Sequence, residues 1–174
     1  MKNITIVEVG LRDGLQTEPI ILSVDQRLHI LEGLANAGLK RIEIGGFVRS
    51  DRVPQMAGTR EMVEKSQALK KLKKVKNDIE YSVLVPNMRG WEEAKGLQIQ
   101  EVALFASSTE SFSQKNINCS IDESFERFIP VIKAAKEKKI RVRGYLSVCF
   151  GCTFEGDVPE SNVVELVKRM VALK

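Results

Sequence analysis

Short apolar runs alternate with helix-like segments along all 174 residues, and no tight Gly/Asn/Asp turn sits between them to fold one run back on the next. Runs that cannot pair as hairpins must pair in parallel through crossovers, and a parallel sheet needs helices over both faces. The runs fall at residues 4–9, 41–44, 81–85, 101–105 and 141–148. Helices are expected at 23–37, 59–75, 91–95, 120–138 and 159–173. Ser23 or Asp25 begins the first of these and Gly38 ends it. Pro86-Asn87 ends the third run, Gly96 closes the short helix, and a long polar loop is expected before residue 120. The reading is therefore α/β, one domain over residues 1–174, with five β/α units. A doubly wound sheet fits the same pattern, but no Gly-rich phosphate loop follows the first run or any other.

Composition narrows the function classes. At 43% hydrophobic residues the chain can bury a sizeable core. No apolar stretch approaches the roughly 20 residues of a membrane span, and Met1-Lys2-Asn3 leads directly into a strand pattern, so the cytoplasm is expected. The net charge of +4 comes partly from lysines between Lys65 and Lys76. Leu69, Leu72 and Val75 lie among them at helical spacing, which reads as an amphipathic helix with a solvated face. Aromatics and glycines do not interleave with that charge, so nucleic-acid binding is not expected. Three cysteines suit no disulfide framework and read as reduced packing thiols. Cys149-Phe150-Gly151-Cys152 has CxxC spacing, without the further ligands of a zinc site or the strand-to-helix setting of a redox motif.

Chemistry concentrates in Val7-Glu8-Val9-Gly10-Leu11-Arg12-Asp13-Gly14-Leu15-Gln16, where an apolar run ends in a cation, an anion and a glycine turn. Were the sheet to close into a barrel, strand C-terminal ends would meet on one rim. Arg12, Asp13 and Gln16 follow the first run, Glu43 lies on the second, Asn87 follows the third, and Tyr145 with Ser147 lies late in the fifth. Asp13 offers a hard oxygen suited to Mg²⁺ or Mn²⁺. Arg12 either stabilises an oxyanion or forms a structural ion pair with Asp13 or Glu43. Glu8 reads as a structural partner for a cation, and His29, the single histidine, as an ordinary helix-face residue.

Together with Ile42-Glu43-Ile44-Gly45-Gly46-Phe47-Val48, Lys115-Asn116-Ile117-Asn118-Cys119-Ser120 and Gly151-Cys152-Thr153-Phe154-Glu155-Gly156, that segment resembles the 3-hydroxy-3-methylglutaryl-CoA lyase family. The resemblance runs from about Ile4 to the last residue. It implies a (β/α)8 barrel of which only about the first five units are present, so that 1–174 is an N-terminal part incomplete at its C-terminus. It implies a divalent-metal-dependent retro-Claisen cleavage of 3-hydroxy-3-methylglutaryl-CoA to acetyl-CoA and acetoacetate, in leucine degradation and ketone-body metabolism. In that family Arg12, Asp13 and Glu43 match catalytic residues, Asp13 matches a metal ligand, and Arg12, Gln16, Asn116 and Tyr145 match positions around the acyl-CoA substrate. The remaining metal ligands, a His-x-His pair and an asparagine, belong to later units. The expectation is thus a lyase whose isolated 174-residue chain is inactive; the alternative is a non-catalytic fragment. In either case the open sheet edges are expected to drive homo-oligomerisation or other association. The chain departs from the family wording at Leu11 for proline, Gly45-Gly46 for a hydroxyl-bearing pair, and Thr153 for proline.

Overall fold

The computed structural model describes residues 4–173. Its elements are α1 (Val24–Asn36), β1 (Arg41–Gly46), α2 (Thr59–Lys71), β2 (Glu80–Leu84), α3 (Met88–Ala94), β3 (Glu101–Ser107), α4 (Glu110–Ile117), α5 (Ile121–Glu137), β4 (Arg141–Ser147) and α6 (Glu160–Ala172). Four parallel strands alternate with helices, in the order β1-β2-β3-β4. The chain divides into two compact units, residues 1–85 with 89–102, and residues 86–88 with 103–174.

In the first unit the expected strand at residues 4–9 is not formed. Only Glu8 pairs, bridging Ile42 in parallel, with Glu8 N–H donating to Arg41 O at 2.9 Å and Glu43 N–H to Glu8 O at 2.8 Å. Apolar alternation alone does not hold a strand, and Ile4 and Ile6 are 93% and 70% exposed. The chain then winds into a π-helical turn, Gly10–Gly14. Downstream, α1 starts on a capping box, with Ser23 accepting from Gln26 N–H and Gln26 accepting from Ser23 N–H.

The Lys-rich helix stops at Lys71, four residues short of the expected Val75. Lys73 adopts φ +56° and donates to Lys70 O, while Lys74 N–H donates to Leu69 O, the paired bonds of a Schellman stop. Gly38 ends α1 through the same two bonds, so a lysine here takes the left-handed place where a glycine would advertise the stop. Beyond the helix, Leu72 is 68% exposed, whereas Val75 is buried.

The register of β1 against β2 runs Arg41–Glu80, Ile42–Tyr81, Glu43–Ser82, then skips to Gly46–Leu84. Two residues of β1, Ile44 and Gly45, thus lie opposite one of β2, a bulge that returns Gly46 to the face used by Glu43. Both strands are buried almost throughout.

In the second unit, the expected polar loop contains α4. Its start is held from far along the chain by the Glu155 carboxylate, which accepts the Ser111 N–H at 2.7 Å. Next, α5 opens on a capping box between Ser120 and Glu123 and buries Phe125, Phe128, Val131, Ile132 and Ala135. The last strand, β4, is half-exposed along its length. A Cβ on Gly144 would fall 2.4 Å from Met170 Cε, so the 142, 144, 146 face looks to α6. Val142 and Leu146 belong to that helix-facing side.

Candidate active site

Arg12 reaches its position because the π-helical turn re-aims the chain after Val9, with Asp13 N–H donating to Val9 O at 2.7 Å. Gly10 permits that turn, since Glu8 Oε1 accepts the Gly10 N–H at 2.6 Å and a Cβ there would sit 2.8 Å from the same oxygen. Glu8 therefore caps the turn by accepting a backbone N–H.

Arg12 is 8% exposed, and its guanidinium is held from two sides. Its Nε donates to Glu43 Oε1, and its Nη1 donates to Asp13 Oδ1 at 2.6 Å. Glu43 is wholly buried, whereas the Asp13 side chain is 62% exposed. Buried charge is tolerable only when paired, so Glu43 fixes the guanidinium plane and Asp13 is the member that faces solvent. Gln16 lies half-buried just past the turn, in the same unit.

The bulge beneath this group answers the missing hydroxyls. A Cβ on Gly45 would lie 2.7 Å from Thr59 Oγ1 and 3.1 Å from Arg27 Nη2, so no side chain fits. Thr59 brings its own hydroxyl there, donating to Met56 O at 2.7 Å. Arg27 is fully buried and ties β1 to the turn at Pro54–Met56, donating to Ile44 O at 3.2 Å, Gln55 O at 3.3 Å and Ala57 O at 2.9 Å. Burial lowers its pKa from the ordinary arginine value. Neither Arg27 nor Thr59 was expected from sequence, although Arg27, Leu31 and Ala35 recur every four residues along the buried face of α1.

The second unit holds the other sequence-derived positions. Asn116 is exposed in the last turn of α4, not in a loop. Tyr145 is half-buried on β4 with the Arg143 guanidinium 4.6 Å from its ring centre. Ser147 O accepts the Ser108 N–H at 3.0 Å, and Asn87 follows β2 ahead of α3. Cys119, Cys149 and Cys152 are all free thiols.

As for a metal, the described residues hold no group of three or more His, Cys, Asp or Glu side chains able to ligate one ion. Asp13 brings one hard carboxylate already engaged by Arg12, and His29 is exposed on α1. These donors do not fit a divalent centre by themselves. No helix among the described residues is long and apolar enough to cross a membrane.

Residues 3–174 match the family model described as HMGL-like. The chain is 47% identical over 174 residues to a hydroxymethylglutaryl-CoA lyase of Pseudomonas mevalonii, covering 99% of this chain and 55% of that protein. It superposes on the crystal structure of hydroxymethylglutaryl-CoA lyase from Pseudomonas aeruginosa with a TM-score of 0.88 at 40% identity, over 99% of this chain and 55% of that one. A lyase from Acinetobacter baumannii, solved with coenzyme A and 3-methylmalate, matches with a TM-score of 0.86 at 28% identity, over 97% and 53% of the two chains. The chain spans about half the length of the relatives it matches. With a family model matched along nearly its whole length, this chain belongs to the HMGL-like family.

Proposed function

We propose that this chain supplies the Arg12, Asp13 and Glu43 portion of a lyase active site that cleaves 3-hydroxy-3-methylglutaryl-CoA. The observation that carries the reading is the Arg12 guanidinium, locked by buried Glu43 and directed at solvent-facing Asp13. In the reaction, loss of the C3 hydroxyl proton turns C3–O into a carbonyl as the C2–C3 bond breaks. The bonding pair moves onto the thioester as an enolate, and protonation at C2 gives acetyl-CoA beside acetoacetate. Negative charge moves from one oxygen to another, and a preorganised guanidinium of fixed orientation is suited to neutralise it. Glu43 keeps that guanidinium in place, and Asp13 contributes a carboxylate at the open side. Gln16, Asn116 and Tyr145 are assigned to the acyl-CoA. The donors among the described residues do not by themselves fit a divalent ion, so metal binding by the 174-residue chain alone is expected to be weak.

The second reading is a non-catalytic fragment that associates through uncovered surface. Ile4 and Ile6 in one unit, and Val164, Val167, Val171 and the 102% exposed Phe150 in the other, support it. Each few hundred Å² of such surface forfeits several kcal/mol at about 25 cal/mol per Å², so oligomers are the expected state of the chain alone. The cytoplasm is part of the same proposal.

The test is complementation. The 174-residue chain is co-expressed with the C-terminal part of the Pseudomonas mevalonii relative, and acetoacetate release from 3-hydroxy-3-methylglutaryl-CoA is measured. Turnover that needs both pieces and falls at least about 100-fold in Arg12→Gln supports the lyase reading. A stable complex of the two pieces without turnover, or turnover indifferent to Arg12, overturns it in favour of the fragment.

A further inference from the structure

Two thiols of the second unit are set in opposite chemical roles. Cys152 is buried, 6% exposed, where residues 152 and 156 form an antiparallel bridge. Its sulfur accepts hydrogen bonds from the Thr109 hydroxyl at 3.1 Å and the Phe154 N–H at 3.4 Å. Cys149 is half-buried and arranged the other way, its S–H donating to Leu146 O at 3.1 Å while the Ser108 hydroxyl donates to its sulfur at 3.5 Å. Ser108 and Thr109 are consecutive and buried, so the two sulfurs are anchored on adjacent residues, whose Cα atoms lie about 3.8 Å apart.

Donors aimed at a sulfur favour its thiolate. Burial opposes the charge on Cys152, yet the Thr109 hydroxyl and the N–H groups of Phe154 and Glu155 hold that thiol below its ordinary range. Cys119, by contrast, is pushed up by burial. The chain is also bent to deliver Cys149. Val148 takes φ +55°, a left-handed conformation unusual for a β-branched side chain, which turns the residue after β4 back toward Leu146.

We propose that Cys149 and Cys152 are a dithiol switch oxidised by a peroxide, with Cys152 attacking and Cys149 resolving. The Cys152 thiolate attacks one peroxide oxygen, the O–O bond breaks, and the leaving oxygen departs as water after taking a proton. Cys152 is left as a sulfenic acid. The Cys149 sulfur then attacks the Cys152 sulfur, losing its proton and expelling the hydroxyl as a second water. Two thiols become one disulfide and one peroxide becomes two waters. The disulfide removes the thiol that Leu146 O and Ser108 hold and the thiolate that Thr109 holds, so oxidation re-sets the loop at the end of β4. This inference does not depend on the lyase reading, because its readout is thiol chemistry alone.

The test treats the purified 174-residue chain with hydrogen peroxide, quenches with an alkylating agent and maps peptide masses. The segment holding Cys149 and Cys152 should lose two hydrogens and resist alkylation until reduced, while Cys119 is still alkylated. The reaction should run about tenfold faster in the folded chain than in urea, since a thiol's reactivity follows its thiolate fraction. Cys149→Ser should halt at a sulfenic acid on Cys152 that a 1,3-dione captures, and Thr109→Val should slow the first step several-fold. Equal rates in urea, oxidation of Cys119 at the same rate, or disulfides only between chains would overturn the proposal. The wild-type comparison decides it even if a variant fails to fold.

Discussion

Two parallel strands, β2 and β4, meet opposite fates. In β2, Tyr81, Ser82, Val83 and Leu84 are at most 3% exposed, and β1 runs alongside in parallel register. β4 has no fully buried residue. The sequences do not announce this, since both strands mix aromatic, apolar and polar residues. A parallel strand needs cover on both faces and both edges, and β4 has α6 against its 142, 144, 146 side. The lesson is that strand stability in this fold belongs to the neighbours and not to the strand.

The sharpest way to break that contrast is a matched pair of truncations. Leu84→Ala on β2 is expected to cost about 2–5 kcal/mol by urea unfolding, and Leu146→Ala on half-exposed β4 about 1 kcal/mol. Equal losses would mean that β4 is as well packed as β2.

A second pair separates buried from exposed charge around Arg12. Glu43→Gln leaves a buried guanidinium without its buried carboxylate and should cost about 3 kcal/mol. Asp13→Asn removes a solvent-facing partner and should cost less than about 1 kcal/mol. If Asp13 proved the more costly, Glu43 would not be the residue that fixes Arg12.

The two tyrosines, one on each strand, allow an alkaline test. Burial pushes Tyr81 up to about 12 from 10.0. Because its folded pKa is the higher one, the stabilisation it lends is complete below about pH 10 and is lost as pH rises through about 12, amounting to about 2–3 kcal/mol. Absorbance titration should show one tyrosine ionising late, a component absent from Tyr81→Phe. A late component that survives the substitution would place the protected ring on β4.

The smallest effect is expected from Tyr81→Phe itself at neutral pH. The Tyr81 hydroxyl is buried without a hydrogen-bond partner among the described residues, so its removal should be neutral or stabilising by up to about 1 kcal/mol in thermal unfolding. A loss above that range would reveal a partner for the hydroxyl.

Much of the fold was legible because its signals are local. Ser23 with Gln26 and Ser120 with Glu123 set helix starts, Gly38 and Gly96 set stops, and the apolar runs locate β1 to β4. What failed were features whose cause lies far along the chain. The run at residues 4–9 alternates like a strand but pairs only at Glu8. The segment Glu110–Ile117 is too polar to advertise a helix, and its first turn is held by Glu155. Lys73 ends α2 in a conformation that usually signals glycine. In the candidate site, Arg12, Asp13 and Glu43 stand out in the sequence through the family wording, while Arg27 carries no local signal that sets it apart.

By itself, then, the sequence determined the β/α alternation, the helix caps and the family, because spacing, capping and motif wording act within a few residues or are read directly. Tertiary structure decided that Arg12 belongs chiefly to Glu43, that Thr59 and Arg27 exclude a side chain at Gly45, and that Cys152 accepts where Cys149 donates. Burial and hydrogen-bond direction are set by atoms that meet only when the chain is folded, and no local pattern encodes them.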